Sequence, residues 1–409
     1  MVTVVIHNST QKPTALKRLR VVTLAFCLLA GALHTLTSGF AQTEPPVLES
    51  PARDAGSIFS FTLRGESNAS YVIESSTNLW QWVSVDTNRA AAASRRIEFL
   101  PADPSGSPAT LGPWRFYRAY RVREPLFSHA IAAMESIRLD GNNVTMDSFD
   151  SADPAFNTDG FYDPLKNKDG GDVAVNSNQT NCLELENSQI MGRLSCGPGY
   201  CITLGANGTV GDKAWIASGN TGIQPGWVAD NADLHPIRVD VPSIAAFTPT
   251  GGFRDGKYYD CLLEDDVIYA INTMYGTVRV SGDATLLVSG SLNIFPPSEI
   301  LPGASLRLYY GGASITIQAN AIINKTGNAT NFQYYGLPAN HTISINSGPS
   351  GTTNLFLGVI YAPDADLSIT TSSSMPIDFI GACLVKTAYL NGNVRVHFDE
   401  NLKRSGPQR

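Results

Sequence analysis

From Thr277 to Gln318 short apolar–polar alternations recur, each closed by glycine or by a serine- and asparagine-rich corner. Val278/Val280, Leu286/Val288, Leu292/Ile294, Leu306/Leu308/Tyr310 and Ile315/Ile317 each set one face of a short strand inward, as a period of two requires. Strands this short, restarted this often, predict a solenoid. Similar runs at 190–194, 202–210, 267–271, 355–361, 367–370, 380–385 and 394–398 extend it, and Ile137/Leu139 with Val144/Met146 flank a turn that reads as its first coil. Spacings vary, so the repeat is irregular. The expected fold is all-β: a small β-sandwich over 57–124, then an irregular parallel β-helix-like domain over 125–404, with a disordered tail at 405–409. Phe59/Phe61/Leu63, Tyr71/Ile73, Trp82/Val83/Val85, Ile97/Phe99 and Phe116/Tyr117/Tyr120 mark the sandwich strands.

Ahead of both, Lys17, Arg18 and Arg20 precede an apolar run from Val21 to about Leu36 that ends in small residues, the form of an export signal over 1–41. The run is short for a membrane span, and Phe26 before Cys27 does not suit a lipidated cysteine. Residues 42–56, with Pro45-Pro46, read as an irregular linker. Loss of 1–41 removes Lys12, Lys17, Arg18 and Arg20 and no acid, which takes the formal charge from −7 to −11. An acidic surface repels phosphate backbones and anionic membrane, so nucleic acid is not an expected partner.

Of six cysteines, five follow the leader: Cys182, Cys196, Cys201, Cys261 and Cys383. An exported chain favours disulfides, and Cys196–Cys201 or Cys182–Cys201 would each close a short loop. Zinc usually wants paired cysteine and histidine spacings that are missing here.

Asp147, Asp150 and Asp153 lead an acidic stretch that runs through Asp159, Asp163, Asp169 and Asp172. Oxygen ligands suit calcium, with Asp147, Asp150 and Asp153 the first contributors; otherwise the carboxylates bond their own backbone and fix turns. No other cofactor is implied. Gly251, Gly256 and Lys257 match a phosphate-binding loop by position, but Tyr258 replaces the needed small hydroxyl and no helix follows. Glycosidase chemistry needs facing carboxylates, for which Glu264/Asp265/Asp266, Asp240 and Asp399/Glu400 are the material. His397 and Asp399 share a strand face, which fits a hydrogen bond that ties down a chain end. Trp80 and Trp114 would form a sugar platform if exposed, while Trp82 reads as core.

The string Tyr71 to Val85, with Ser75-Ser76-Thr77-Asn78-Leu79 and Trp82, and Phe116-Tyr117-Arg118 beyond it, resembles a short fibronectin-type-III-like domain of large secreted proteins from Verrucomicrobia and related bacteria. Met146 to Pro154, Gly171 to Ser177, Gly358 to Leu367, Phe379 to Lys386 and His397 to Leu402 resemble uncharacterised polymer-forming, β-helical exported domains found with pilus-accessory and adhesive proteins. That resemblance implies a non-catalytic structural, adhesive or matrix role at the bacterial envelope, extracellular or periplasmic, with envelope or polysaccharide partners. The alternative is a secreted carbohydrate-active enzyme with a sugar-binding front module.

Overall fold

The computed structural model describes residues 3–7, 46–53, 59–65, 70–89, 94–99, 114–121, 125–141, 143–177, 179–199, 202–242, 246–264, 266–348, 354–371 and 375–407. The chain divides into two compact units between Glu124 and Pro125.

The first unit has two antiparallel sheets. One orders Thr3–His7, Trp114–Arg121, Ser70–Ser76 and Val83–Arg89; the other orders Val47–Arg53, Phe59–Arg64 and Ser94–Phe99. Leu48, Phe61 and Leu63 from one sheet share a core with Tyr71, Ile73, Tyr117 and Ala119 from the other, which makes a sandwich. Two features depart from expectation. Val47–Arg53 is a strand where an irregular linker was expected, because Pro51 falls in a register shift between Glu49 and Ala52 and so costs no ladder hydrogen bond. The β-branched run Thr3–His7, inside the expected leader, pairs with Trp114–Arg118; the rest of 1–41, Cys27 included, lies outside the described residues.

The second unit is a parallel solenoid with three sides. Strand Asn354–Thr370 makes one full coil by itself: 354–357 lie on the first side, 359–362 on the second and 366–370 on the third, each in register with Ile377–Asn391. The corner between the first two sides is built from glycine. Gly358 and Gly381 are register partners, Gly381 has φ +138°, and a Cβ there would stand 1.9 Å from the Gly358 carbonyl oxygen. Apolar ladders fill the interior, among them Leu286, Leu308, Tyr334 and Ile360 on the second side, all fully buried. Stacking of identical sides buries apolar surface at every coil, which is why such short strands hold.

The stacking order is not the chain order. Along the second side the ladder runs 268–271, 283–288, 306–310, 333–335, 359–362, 382–385, then 131–133, 173–175, 194–196 and 228–229. Winding that starts at 250 passes through Asp399 on the first side, and the next position on the second side is taken by Ile131–Ala133, paired with Cys383–Val385. The first-side strand Val394–Asp399 pairs with Thr145–Phe149 in turn. One continuous winding is thus made from an arm of residues 250–399 followed by an arm of residues 131–229. The chain is circularly permuted relative to its own coil, and both ends of the unit meet mid-stack, where Leu126 N–H donates to the Pro407 carbonyl at 2.9 Å.

Residues 230–249 make the return, and their described part carries neither helix nor strand. This strap crosses the second side. Ala232 N–H donates to Cys196 O, Leu234 exchanges two hydrogen bonds with the Asn176 side chain, and the Tyr361 hydroxyl both accepts from Ile237 N–H (2.7 Å) and donates to Ile237 O (2.9 Å). Phe247 then bridges Tyr269 at the far end. Beneath it Tyr309, Tyr335 and Tyr361 form an outward ladder that is nonetheless buried, with ring centroids 4.9 and 6.3 Å apart.

Candidate functional site

The densest group of buried polar side chains among the described residues sits on the first side at the seam between the two arms. Val394, Val396 and Phe398 point into the solenoid, so Arg395, His397 and Asp399 of the same strand point out; Arg395 stays exposed, while the loop 150–172 covers His397 with Tyr162 and meets Asp399 at Ser151. His397 is the register partner of Asp147, and its Nδ1 lies 2.6 Å from Asp147 Oδ1. Asp147 Oδ2 accepts from the Tyr162 hydroxyl (2.7 Å) and from Asn167 Nδ2 (2.8 Å). The Tyr162 ring stacks on the imidazole with centroids 3.7 Å apart. On the other flank Asp378 Oδ1 stands 3.5 Å from His397 Nε2 and 3.0 Å from Arg395 Nε.

The electrostatics follow from this enclosure. Burial works against a charged imidazole, but the hydrogen bonds and charges of Asp147 and Asp378 together outweigh it and hold the His397 pKa above the ordinary value. Burial and the neighbouring Asp147 carboxylate push Tyr162 up, so its hydroxyl stays a donor. Asp399 is raised chiefly by burial, against the backbone N–H groups of Ser151 and Asn401 that its Oδ1 accepts.

The expected calcium ligands each take a partner within the protein. Asp147 belongs to His397, Asp150 takes Arg404 through two contacts of 2.6 and 2.8 Å, and Asp153 caps a short helical turn by accepting from Ala155 N–H. Among the described residues no three His, Cys, Asp or Glu side chains converge as metal ligands do. His397 and Asp399 share an outward face as expected, yet the histidine pairs across the ladder rather than along its own strand. Adjacent parallel strands are about 4.8 Å apart, closer than residues two apart on one strand. A histidine 250 residues from its acid leaves no local signal in the sequence, and this pairing was not legible there.

The remaining candidates also find partners. Glu264 holds Arg254 through two bonds of 2.6 Å, which with Arg279 keeps its carboxyl below the ordinary range; Asp266 accepts from Asp283 N–H; Asp240 lies exposed beside Arg238; and Glu400 bonds Ser148 and Lys168. Asp265 lies outside the described residues. The phosphate-loop look-alike is a hairpin: Thr250–Arg254 pairs with Lys257–Leu263 about Asp255-Gly256, whose φ angles are +52° and +76°. An Asp-Gly pair between alternating runs is the signal that identifies such a turn.

Cys182 is disulfide-bonded, whereas Cys196, Cys261 and Cys383 are free and buried. This corrects the Cys196–Cys201 alternative: Cys196 stands in strand Leu194–Cys196 with its thiol toward the Ala229 carbonyl. Cys201 lies outside the described residues. Burial pushes the Cys261 and Cys383 thiols up to about 12, so neither is a nucleophile at neutral pH. A small cavity inside the arm of residues 250–399, lined by Leu292, Leu308, Ile315, Ile317, Ile322 and Phe332 with Thr316, brings no ionisable group together.

In the first unit Trp80 is 89 % exposed on a rigid turn. Asn78 Oδ1 accepts from Trp80 and Gln81 N–H, Ser76 Oγ accepts from Leu79 N–H, and Leu79 takes φ +67°, a strained value for leucine. Trp82 is half-buried rather than core, because Arg118 stacks over its ring at 4.2 Å and screens it from one side only. Trp114 belongs to strand Trp114–Arg121, and its side chain lies outside the described residues.

A family model described as "Domain of unknown function (DUF7305)" matches residues 245–405. The matched stretch begins just before the terminal hairpin and ends just past the seam, so it takes in the second arm and leaves the arm of 131–229 outside. No curated protein matches the chain, and no solved structure does. Among the described residues no helix is long and apolar enough to cross a membrane.

Proposed function

We propose that this chain is a non-catalytic, exported structural or adhesive protein of a bacterial envelope or matrix, in which the solenoid holds a shape and the front unit presents contact groups. The observation that carries this reading is the three-sided winding, whose ten-strand second side stacks in register across the seam and rises about 43 Å at about 4.8 Å per step. Ionisable side chains at the seam are spent on each other: His397 on Asp147, Arg404 on Asp150, Lys168 on Glu400. The resemblance to polymer-forming exported domains points the same way.

Trp80 favours a second element of the reading, a carbohydrate-facing front unit. An indole this exposed, on a turn fixed by three backbone hydrogen bonds, presents a flat apolar face with little entropy left to lose on stacking. The test is cell fractionation of the tagged chain, followed by retention on purified envelope and on insoluble polysaccharide. Recovery in the envelope fraction, with retention that falls at least about fivefold in Trp80→Ala, supports the reading. A soluble chain that turns over polysaccharide overturns it in favour of the carbohydrate-active alternative.

A further inference from the structure

The seam joins two surfaces of one coil stack with no covalent bond across it, and we infer that it is also an interface between copies of this chain, in which the arm of residues 126–229 of one copy seats on strands Ile377–Asn391 and Val394–Asp399 of another. This goes beyond the proposed cellular role and does not depend on it. Eight register pairs join Ile377–Asn391 to Ile131–Asp140 and five join Val394–Asp399 to Thr145–Phe149, and any second copy offers the same thirteen. His397, Asp147, Tyr162 and Asp378 are equally satisfied whether the arm comes from the same chain or from a neighbour. Occupancy is therefore decided by the connection, not by the contacts.

The connection is long enough for either outcome. In the closed chain the strap runs from Val228–Ala229 to Ile268–Ile271, nine ladder steps along the second side, about 43 Å at about 4.8 Å per step. Twenty residues, 230–249, reach up to about 66 Å when extended, at about 3.3 Å each. What keeps the arm on its own chain is a short set of contacts: Asn176 with Leu234, Tyr361 with Ile237, and Phe247 with the first second-side strand. Both ends of the unit's winding meet at the seam, where Leu126 bonds Pro407, so exchange of the arm threads no loop of the unit. A reciprocal exchange closes as a dimer, and a one-way exchange continues as a string of rods.

The test uses the full chain in two tagged forms. One carries Arg395→Cys and the other Thr145→Cys, which are register partners across the seam. The forms are mixed, unfolded, refolded together over a range of concentration and oxidised. A disulfide between differently tagged chains, growing with protein concentration, is the expected result. A second form shortens the strap by deletion of 238–246, which leaves an extended reach of about 36 Å at about 3.3 Å per residue, less than the second side requires, and is expected to turn monomer into dimer or larger by light scattering. Should the shortened chain fail to fold, the cross-link in the full-length strap still decides. Absence of any inter-chain cross-link at every concentration, while a control chain with both cysteines closes its own seam, overturns the inference.

Discussion

His397 and Asp147 lie 250 residues apart in sequence, yet they are register partners in adjacent parallel strands and share a 2.6 Å hydrogen bond. They staple the last coil of one arm to the first coil of the other at the one place where the winding lacks a peptide bond. Removal of either partner strands a buried polar group, and such losses cost about 3–5 kcal/mol. His397→Ala and Asp147→Ala are each expected to lower unfolding stability by that order in chemical denaturation. In a double-mutant cycle the two losses are expected to overlap by more than about 1 kcal/mol; additive losses would mean that the pair is not a unit.

The same histidine sets the alkaline limit of the solenoid. The groups that face it are Asp147 from the neighbouring strand, Asp378 from the strand on its other side, Tyr162 from the covering loop and Arg395 from its own strand. Its pKa is raised, so the stability it contributes is complete below about 6.5 and is lost as pH rises through the higher native value. His129 behaves in the opposite sense. Burial pushes it down to about 4, with Asp172 opposing and Lys403 assisting, so its contribution is present above 6.5 and lost as pH falls through about 4. The melting temperature is expected to peak between these limbs. His397→Gln should flatten the alkaline limb alone and His129→Gln part of the acid limb; a profile unchanged by both substitutions would rule the assignment out.

Corner geometry gives a third expectation. Gly381→Ala places a methyl 1.9 Å from the Gly358 carbonyl oxygen and forces a residue with a side chain into φ +138°. Backbone must move to admit it, and the neighbouring coils stack on that corner in register. A loss of at least about 2 kcal/mol is expected, at the upper end for single substitutions. Gly303→Ala, at φ +82° but with nothing within 4 Å, should cost only the smaller backbone term of about 1 kcal/mol. Equal losses at the two positions would show that steric contact at the corner is not the cause.

What could be read in advance was whatever repeats locally. Alternation at Val278/Val280 or Ile315/Ile317 marks a strand without reference to its partner, and these segments are strands with those residues buried. Partner choice carries no such mark. Ile131–Ala133 would pair as well in the sequence's eyes with any other apolar triplet, and only the closure of both arms places it on Cys383–Val385. One signal of the cover is present in the sequence: Tyr309, Tyr335 and Tyr361 recur at intervals of 26 residues, the length of one coil in that part of the winding. An outward tyrosine repeated coil after coil is costly to expose, and it announces a covering segment.

That cover leads to the last expectation. Tyr361 is 2 % exposed, and its hydroxyl makes two hydrogen bonds to the backbone of Ile237. Phenylalanine preserves the ring contacts with Tyr335 and Phe127 but leaves the Ile237 N–H and C=O without that partner. Each lost bond is worth about 0.5–1.5 kcal/mol net. If the strap opened together with the solenoid, Tyr361→Phe would slow or speed amide exchange everywhere alike. Because the strap has no ladder of its own, it is expected to open separately, so the substitution should raise exchange at 231–242 about tenfold while the seam strands Ile131–Asp140 and Ile377–Asn391 keep their protection. Uniform change across both regions would mean that strap and winding are a single cooperative element.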